Sequence, residues 1–343
     1  MKVGLIGHRG SGKTTVFNVL TGLKAQAGHG DKGESHVGVT KVPDARVDRL
    51  SEIFQPRKTT YAEIRFTDFP AGEGKERLQA NKALLAQMRE VDAMALVLRD
   101  FDNGSDPLKE LKDLIAEMIL ADLAVVENRL ARLKKEKGKE REGKVLARCL
   151  AALEKEESLR SLDFISNEET LLSGFGFLSR KPALALFNVS DDRAGAELPA
   201  KYREELNGAG VPGFALSGKV EMEIAQLDEG DRQAFLKELG IAEPARDRFI
   251  RASYELLDLV SFFTTGENEV KAWTINRGTP AREAAGKIHS DIERGFIRAE
   301  VVTYDDFICY GSEAKCREAG KLRLESKEYA VQDGDIVHIR FNV

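Results

Sequence analysis

The chain has 343 residues, of which 42% are hydrophobic and 32% charged, with a formal net charge of −5 at pH 7. That length allows roughly two or three domains with real cores. The charge balance excludes a whole-chain electrostatic sleeve for DNA, although it averages away any local basic face. The cysteines Cys149, Cys309 and Cys316 lie far apart and without histidine partners, which argues against zinc and for free thiols in a reducing compartment. No apolar run approaches the roughly 18 residues of a membrane span. The apolar start, Met1 to Ile6, is cut off by Gly7, His8 and Arg9, unlike a signal peptide. A soluble cytoplasmic protein is expected.

In chain order, "KVGLI" reads as a buried parallel strand and "KTTVFNVLTG" as the helix that follows it. "YAEIRFTD" (Tyr61 to Asp68) alternates like a strand and ends in an aspartate. A helical stretch from Leu78 to Glu90 leads to "AMALVLRDF" (Ala93 to Phe101), a second buried strand, and "PALALFNVS" (Pro182 to Ser190) is a third. Strands alternating with helices predict a parallel α/β sheet covered on both faces. From Leu108 apolar residues recur at helical steps, through Leu111, Ile115, Ile119, Leu123, Val126, Leu130 and Leu133. The charged "RLKKEKGKEREGK", with Gly138 and Gly143 available for a turn, separates this stripe from a returning one through Leu146, Leu150 and Leu153. A long antiparallel helical hairpin is predicted, its tip either solvated, as charge runs usually are, or touching nucleic acid or a partner. After Leu259 the texture changes. "EVKAWTINRGTP" reads as strand and turn, "AREAAGKIH" as helix and "GFIRAEVVTY" as strand. "YAVQDGDIVHIRFNV" reads as two short strands around Asp-Gly-Asp, which makes a small mixed domain.

Chemistry concentrates at the first strand–helix junction, where Gly7, Gly12, Lys13 and Thr14 fit G-x-x-x-x-G-K-[ST]. Glycines let successive backbone N–H groups converge on phosphates, and the following helix adds the positive end of its dipole. The phosphate-binding set is Gly7, Arg9, Gly10, Ser11, Gly12, Lys13, Thr14 and Thr15; within it Arg9 is either a phosphate clamp or an ordinary surface arginine. Lys13 would neutralise the β- and γ-phosphates and the Thr14 hydroxyl would ligate Mg²⁺. Asp68, followed by Pro70, Ala71 and Gly72, suits a carboxylate acting on that ion from beyond its direct ligands, with Ala71 or Gly72 offering a backbone N–H to the γ-phosphate and a plain strand-ending turn as the alternative. "NVSD" (Asn188 to Asp191) and "LSGK" (Leu216 to Lys219) resemble the N-K-x-D and S-A-K base-reading loops of GTPases. They nominate Asn188, Val189, Asp191, Ser217, Gly218 and Lys219 as base-binding, unless they are polar loop residues only. Asp191 could accept from both N1–H and the 2-amino group of guanine, donors that adenine lacks at those positions. Val189 stands where the usual lysine would cover the purine.

"HVGVTKVPDARVDRLSEIF", "AGKIHSDIERGFIRAE" and "YAVQDGDIVHIRFNV" resemble the YchF/Obg-like ATPase family over nearly the whole chain. The resemblance implies a P-loop domain of GTPase type (residues 1–107 and 163–258), an inserted coiled-coil arm (108–162) and a C-terminal TGS domain of ubiquitin-like, β-grasp fold (259–343). It also implies ribosome or RNA contact through the arm and the TGS domain, and frequent ATP preference with a glutamate at the fourth base-reading position. Asp191 replaces that glutamate, shifting the chemistry towards guanine. Gly10 replaces a usual asparagine linked to potassium in related GTPases. Lys32 aligns with the expected first-switch threonine, with Ser35 and Thr40 the nearest hydroxyls. "DFPAGEGKER" replaces the second switch, placing Glu73 near the γ-phosphate without a water-orienting glutamine. Leu96 replaces a histidine. Each loss removes a source of transition-state charge or water positioning. The expectation is an ATP- or GTP-binding, nucleotide-switched translation factor with slow hydrolysis, the alternative being a non-hydrolysing, nucleotide-dependent adaptor. A small-molecule kinase fits poorly, for want of lid arginines. His289 is expected to be structural or ribosome-contacting rather than catalytic, because lone histidines commonly pack or hydrogen-bond.

Overall fold

The computed structural model describes residues 1–25, 35–71 and 82–342. The chain divides into one compact unit of Met1–Thr40 with Arg65–Phe249 and another of Lys41–Ile64 with Ile250–Val343.

The first unit is built on a six-stranded sheet of order β2-β4-β1-β5-β6-β7. Its strands are β1 (Lys2–Ile6), β2 (His36–Lys41), β4 (Glu63–Asp68), β5 (Ala93–Asp100), β6 (Ala183–Val189) and β7 (Gly213–Leu216). β1 pairs in parallel with β4 and β5, and β6 with β5 and β7. Helices on the faces of such a sheet bury its strands on both sides, so β6 is buried throughout and β5 everywhere except Arg99. Helix α1 (Lys13–Thr21) follows β1 and buries Val16, Phe17, Val19 and Leu20. Helix α3 (Lys82–Arg89) lies within the expected 78–90 stretch, whose first residues fall outside the described ones.

The predicted hairpin is α4 (Pro107–Leu133) and α5 (Glu140–Leu153). Asp106 caps α4 by accepting from the Lys109 N–H at 3.1 Å, and Pro107 opens the helix where a missing N–H costs nothing. The stripe does two jobs. Leu111, Leu114 and Met118 join the core of the sheet, whereas Ile119, Val126, Val145, Leu146, Cys149 and Leu153 form a separate core of the arm. Asp122, fully buried, fixes the arm's root. It accepts from the Leu178 and Ser179 N–H groups at 2.9 and 2.7 Å and from the Ser179 hydroxyl at 2.7 Å. Burial pushes its carboxyl up to about 6 despite those donors. At the exposed tip Arg129 bridges Glu136 and Glu142. Only Gly138 serves the turn; Gly143, the other expected turn glycine, lies inside α5, whose helical hydrogen bonds begin before it.

The second unit carries a six-stranded sheet of order β11-β10-β12-β8-β9-β3. Its strands are β3 (Lys58–Thr60), β8 (Leu259–Thr264), β9 (Glu269–Asn276), β10 (Phe296–Thr303), β11 (Arg323–Glu325) and β12 (Asp335–Phe341). β8 and β9 form a hairpin, the helix Ala281–Ile288 crosses the sheet, and β12 lies between β10 and β8, parallel to β8. This order is consistent with the β-grasp fold that the resemblance implied. Val260, Phe262, Ile275, Ala284, Val301 and Val337 fill its core. Two expectations are corrected. Residues 41–64, expected within the 1–107 segment, belong here. β3 pairs with β9, Phe54 of α2 (Ala45–Phe54) stacks on Phe307, and Arg46 of α2 bridges Asp44 and Asp333 at 2.8 and 2.7 Å. "YAVQDGDIVHIRFNV" gives one strand rather than two: Ala330 makes only an isolated bridge to Pro280, and the Asp335 carboxylate accepts from the Gln332 N–H and the Tyr329 hydroxyl, tying that segment into a turn. β11 had no counterpart in the sequence reading.

Candidate nucleotide-binding site

The loop from Gly7 to Gly12 joins β1 to α1 at the end of the sheet where Asp68 also lies, opposite Leu5 in register. Its backbone demands glycine. Gly10 and Gly12 both have φ +81°, the left-handed region that side chains resist, and a Cβ on Gly12 would stand 2.1 Å from Asn188 Nδ2. A Cβ on Gly7 would stand 2.5 Å from the Val97 carbonyl oxygen, so the loop lies directly on β5. Ser11 is buried, and its hydroxyl has no hydrogen-bond partner among the described residues. Arg9 is exposed.

Lys13 and Thr14, the first residues of α1, converge on the buried Asp68. Lys13 Nζ bonds one carboxylate oxygen, and Thr14 Oγ1 donates to the other at 2.9 Å. A buried carboxylate needs such partners, and here it draws them from the residues that the motif assigns to phosphate and metal.

The base-reading candidates gather on the neighbouring strand ends. Asn188, at the end of β6 and nearly buried, donates to the Ser11 carbonyl at 3.1 Å and accepts from the Gly218 N–H at 3.0 Å. One side chain thus ties the "NVSD" segment to both the glycine loop and the "LSGK" loop. A Cβ on Gly218 would sit 3.1 Å from the Thr15 methyl, so α1 and the "LSGK" loop are in contact. Asp191 accepts from the Ser217 hydroxyl at 2.9 Å and from Lys219 Nζ at 2.6 Å; the Lys219 hydrogen bond holds its carboxyl below the usual range. Val189 is buried at 5% exposure. Every phosphate-, base- and metal-binding candidate among the described residues therefore falls in one neighbourhood.

The possible switch and catalytic substitutes do not gather there. Thr40 is buried in β2 with its hydroxyl bonded by Arg246 at 2.9 Å, and Ser35 donates to Gln87 at 2.8 Å. Leu96 is wholly buried in the sheet core. Lys32, Gly72 and Glu73 lie outside the described residues. His289 caps the helix Ser290–Arg294 by accepting from the Asp291 N–H at 3.1 Å, in the second unit.

Two residues beside the loop were missed. Arg99 Nη1 lies 4.0 Å from where a Gly10 Cβ would be, and the exposed Phe101 ring lies 3.9 Å from a Gly12 Cβ. The signal was "RDF" at the end of a buried strand, the place where open α/β sheets put their ligands. Arg246, which also donates to the Val19 and Leu20 carbonyls at the end of α1, had no local signal.

A family model described as "50S ribosome-binding GTPase" matches residues 2–129, and the model of the C-terminal domain of YchF GTPases, described as a protein of unknown function, matches 259–342. The chain is 40% identical over 365 aligned positions to the ribosome-binding ATPase YchF of Bacillus subtilis (strain 168), covering all of both chains. It is 40% identical over 363 positions to that of Pasteurella multocida (strain Pm70), covering 100% of this chain and 99% of the relative. A solved structure of the Schizosaccharomyces pombe YchF GTPase superposes with a TM-score of 0.87 at 27% identity, covering 99% of this chain and 97% of that one.

Proposed function

The chain belongs to the YchF family, and on that premise we propose that it binds a purine nucleoside triphosphate with Mg²⁺ and acts as a nucleotide-switched factor on the ribosome. The observation that carries this reading is the convergence of Lys13 and Thr14 on Asp68. Lys13 is positioned to exchange a carboxylate for the β- and γ-phosphates, while Gly7, Gly10, Ser11, Gly12 and Thr15 supply the backbone cradle and the start of α1.

The residues fit the metal. Thr14 Oγ1 and the Asp68 carboxylate, 2.9 Å apart, are hard oxygen donors of the kind Mg²⁺ takes. A nucleotide-bound Mg²⁺ needs few protein ligands, because phosphate oxygens and water complete its shell. When bound, the ion would neutralise charge developing on the phosphates. Asn188, Asp191, Ser217, Gly218 and Lys219 form the base side of the site, with the exposed Phe101 as its apolar surface, whereas the Val189 side chain is taken up by the sheet core. The Asp191 carboxylate keeps lone pairs after binding Ser217 and Lys219, so it can still accept from a base.

Among the described residues, the positions where hydrolytic groups were sought support slow hydrolysis. Position 96 is a core leucine, and the Ser35 and Thr40 hydroxyls are engaged elsewhere. A water-orienting or charge-stabilising group is worth several kcal/mol in phosphoryl transfer. The same observation favours a second reading, a nucleotide-dependent adaptor that binds without turnover.

The ribosomal partner comes from the curated relatives' names, and two surfaces suit RNA. The arm's tip exposes Arg132, Lys134, Lys135, Lys137 and Lys139, and the C-terminal sheet exposes the cross-strand pair Arg298 and Arg340. Action in the cytoplasm follows from that partner, and among the described residues no helix is long and apolar enough to cross a membrane. The test is co-sedimentation of the full chain with ribosomes, with and without a non-hydrolysable triphosphate, beside a phosphate-release assay. Nucleotide-dependent co-sedimentation with slow release supports the switch. Co-sedimentation without any release supports the adaptor, and none under any condition overturns both.

A further inference from the structure

A cation with no assigned role stands against the phosphate loop. β5 and β6 run in parallel with Arg99 opposite Asn188 and Asp100 opposite Val189. Position 189 carries no charge, and Asp100 is neutralised by Arg193 at 2.8 Å, so Arg99 is the charge this strand end presents to the loop. Its Nη1 lies 4.0 Å from the site of a Gly10 Cβ, close to the turn that Gly10 makes in the left-handed region.

The guanidinium is poorly engaged. Asp102 and Glu110 stand 3.7 Å from it, beyond hydrogen-bonding reach, and it donates no hydrogen bond among the described residues; its Nε is buried without an acceptor. Glu110 is held independently, by the Arg99 backbone N–H at 3.0 Å, so it stays in place when the side chain turns. At 36% exposure the side chain has room to turn. Its two ion pairs are long and its buried Nε–H lacks an acceptor, and phosphate oxygens are the geometry that a guanidinium fork completes.

We propose that Arg99 is a phosphate-binding residue, giving guanidinium N–H donors to the phosphate chain of the bound nucleotide beside Gly10. The proposal rests on the nucleotide-site reading above. It requires only side-chain rotation, since β5 already holds the Arg99 backbone in the sheet.

The test is calorimetric titration of the full chain, wild type and the Arg99→Gln and Arg99→Lys variants, with Mg·ATP and with adenosine at low and high salt. Arg99→Gln is expected to bind Mg·ATP about 10- to 100-fold more weakly, as loss of a charge-assisted bond predicts. Its salt dependence should also be shallower, its adenosine affinity unchanged, and Arg99→Lys should recover part of the loss. An Mg·ATP affinity within about twofold of wild type overturns the proposal. So do equal losses for Mg·ATP and adenosine, which mark a structural role. Wild-type protein that binds no nucleotide instead overturns the site reading itself. Should Arg99→Gln fail to fold, Glu110→Gln decides. Freeing the guanidinium from one carboxylate should keep or raise Mg·ATP affinity, and a fall overturns the proposal.

Discussion

Gly12→Ala and Asn188→Ala should not add. Alanine in the left-handed region costs about 1–2 kcal/mol. The new Cβ would also lie 2.1 Å from Asn188 Nδ2, so Asn188 must leave the Ser11 carbonyl and the Gly218 N–H, or the loop must move. Asn188→Ala alone gives up both bonds in a buried setting, about 2–4 kcal/mol in all. In the double variant there is no amide to collide with, so Gly12→Ala then costs only its backbone strain. We expect the double variant to be about 1–3 kcal/mol more stable than the sum of the single losses predicts. Urea unfolding of all four proteins measures this. Far-UV circular dichroism is the suitable signal, because the single tryptophan, Trp273, belongs to the C-terminal sheet and reports on the other unit. Additivity within about 0.5 kcal/mol would show that Asn188 does not hold the loop against which Gly12 is packed.

Three further outcomes test other parts of the account. Leu146→Ala should cost about 2–5 kcal/mol and speed amide exchange across the arm while leaving nucleotide affinity alone, since Leu146 lies in the arm's own core; a loss below about 1 kcal/mol would mean that the helices are not packed through it. Asp122 makes stability pH-dependent. Its carboxyl titrates at about 6 when folded against an ordinary 3.8, so its contribution is fully present below 3.8 and is lost as pH rises through 6, about 3 kcal/mol over that window. Asp122→Asn should flatten the slope between those limits in pH-dependent unfolding, and an unchanged slope would put the titration elsewhere. Asp191→Glu should shift the ratio of ATP to GTP affinity towards ATP, and an unchanged ratio removes Asp191 from base reading.

The parts of this molecule that local sequence dictates were legible in it. β1, β5 and β6 are continuous apolar runs because both faces are covered, and the arm's stripe repeats at helical spacing over seven turns' worth of leucine, isoleucine and valine contacts. The glycine loop and its lysine carry their chemistry in their spacing. What stayed hidden depends on distant partners. β3 has three residues and becomes a strand only because β9 offers an edge, and its neighbour α2 gives no hint that it packs with the C-terminal sheet. Residues 329–332 look like a strand until the Asp335 carboxylate claims the Gln332 N–H. Asn188 looked like one polar residue of a base-reading loop; its role as a clamp on the glycine loop needs the three-dimensional juxtaposition of β6 and α1. Arg99 was overlooked because a charge at a strand end reads as solvated unless its neighbour across the sheet is known.

Lys13, Thr14 and Asp68 are the proposed phosphate and metal end of a purine nucleotide site. Isothermal titration of the wild-type chain and of Lys13→Ala with Mg·ATP and Mg·GTP tests this claim most directly. Saturable binding of at least one triphosphate to wild type, abolished in Lys13→Ala, is the predicted result. Equal affinity in the two proteins would contradict the claim.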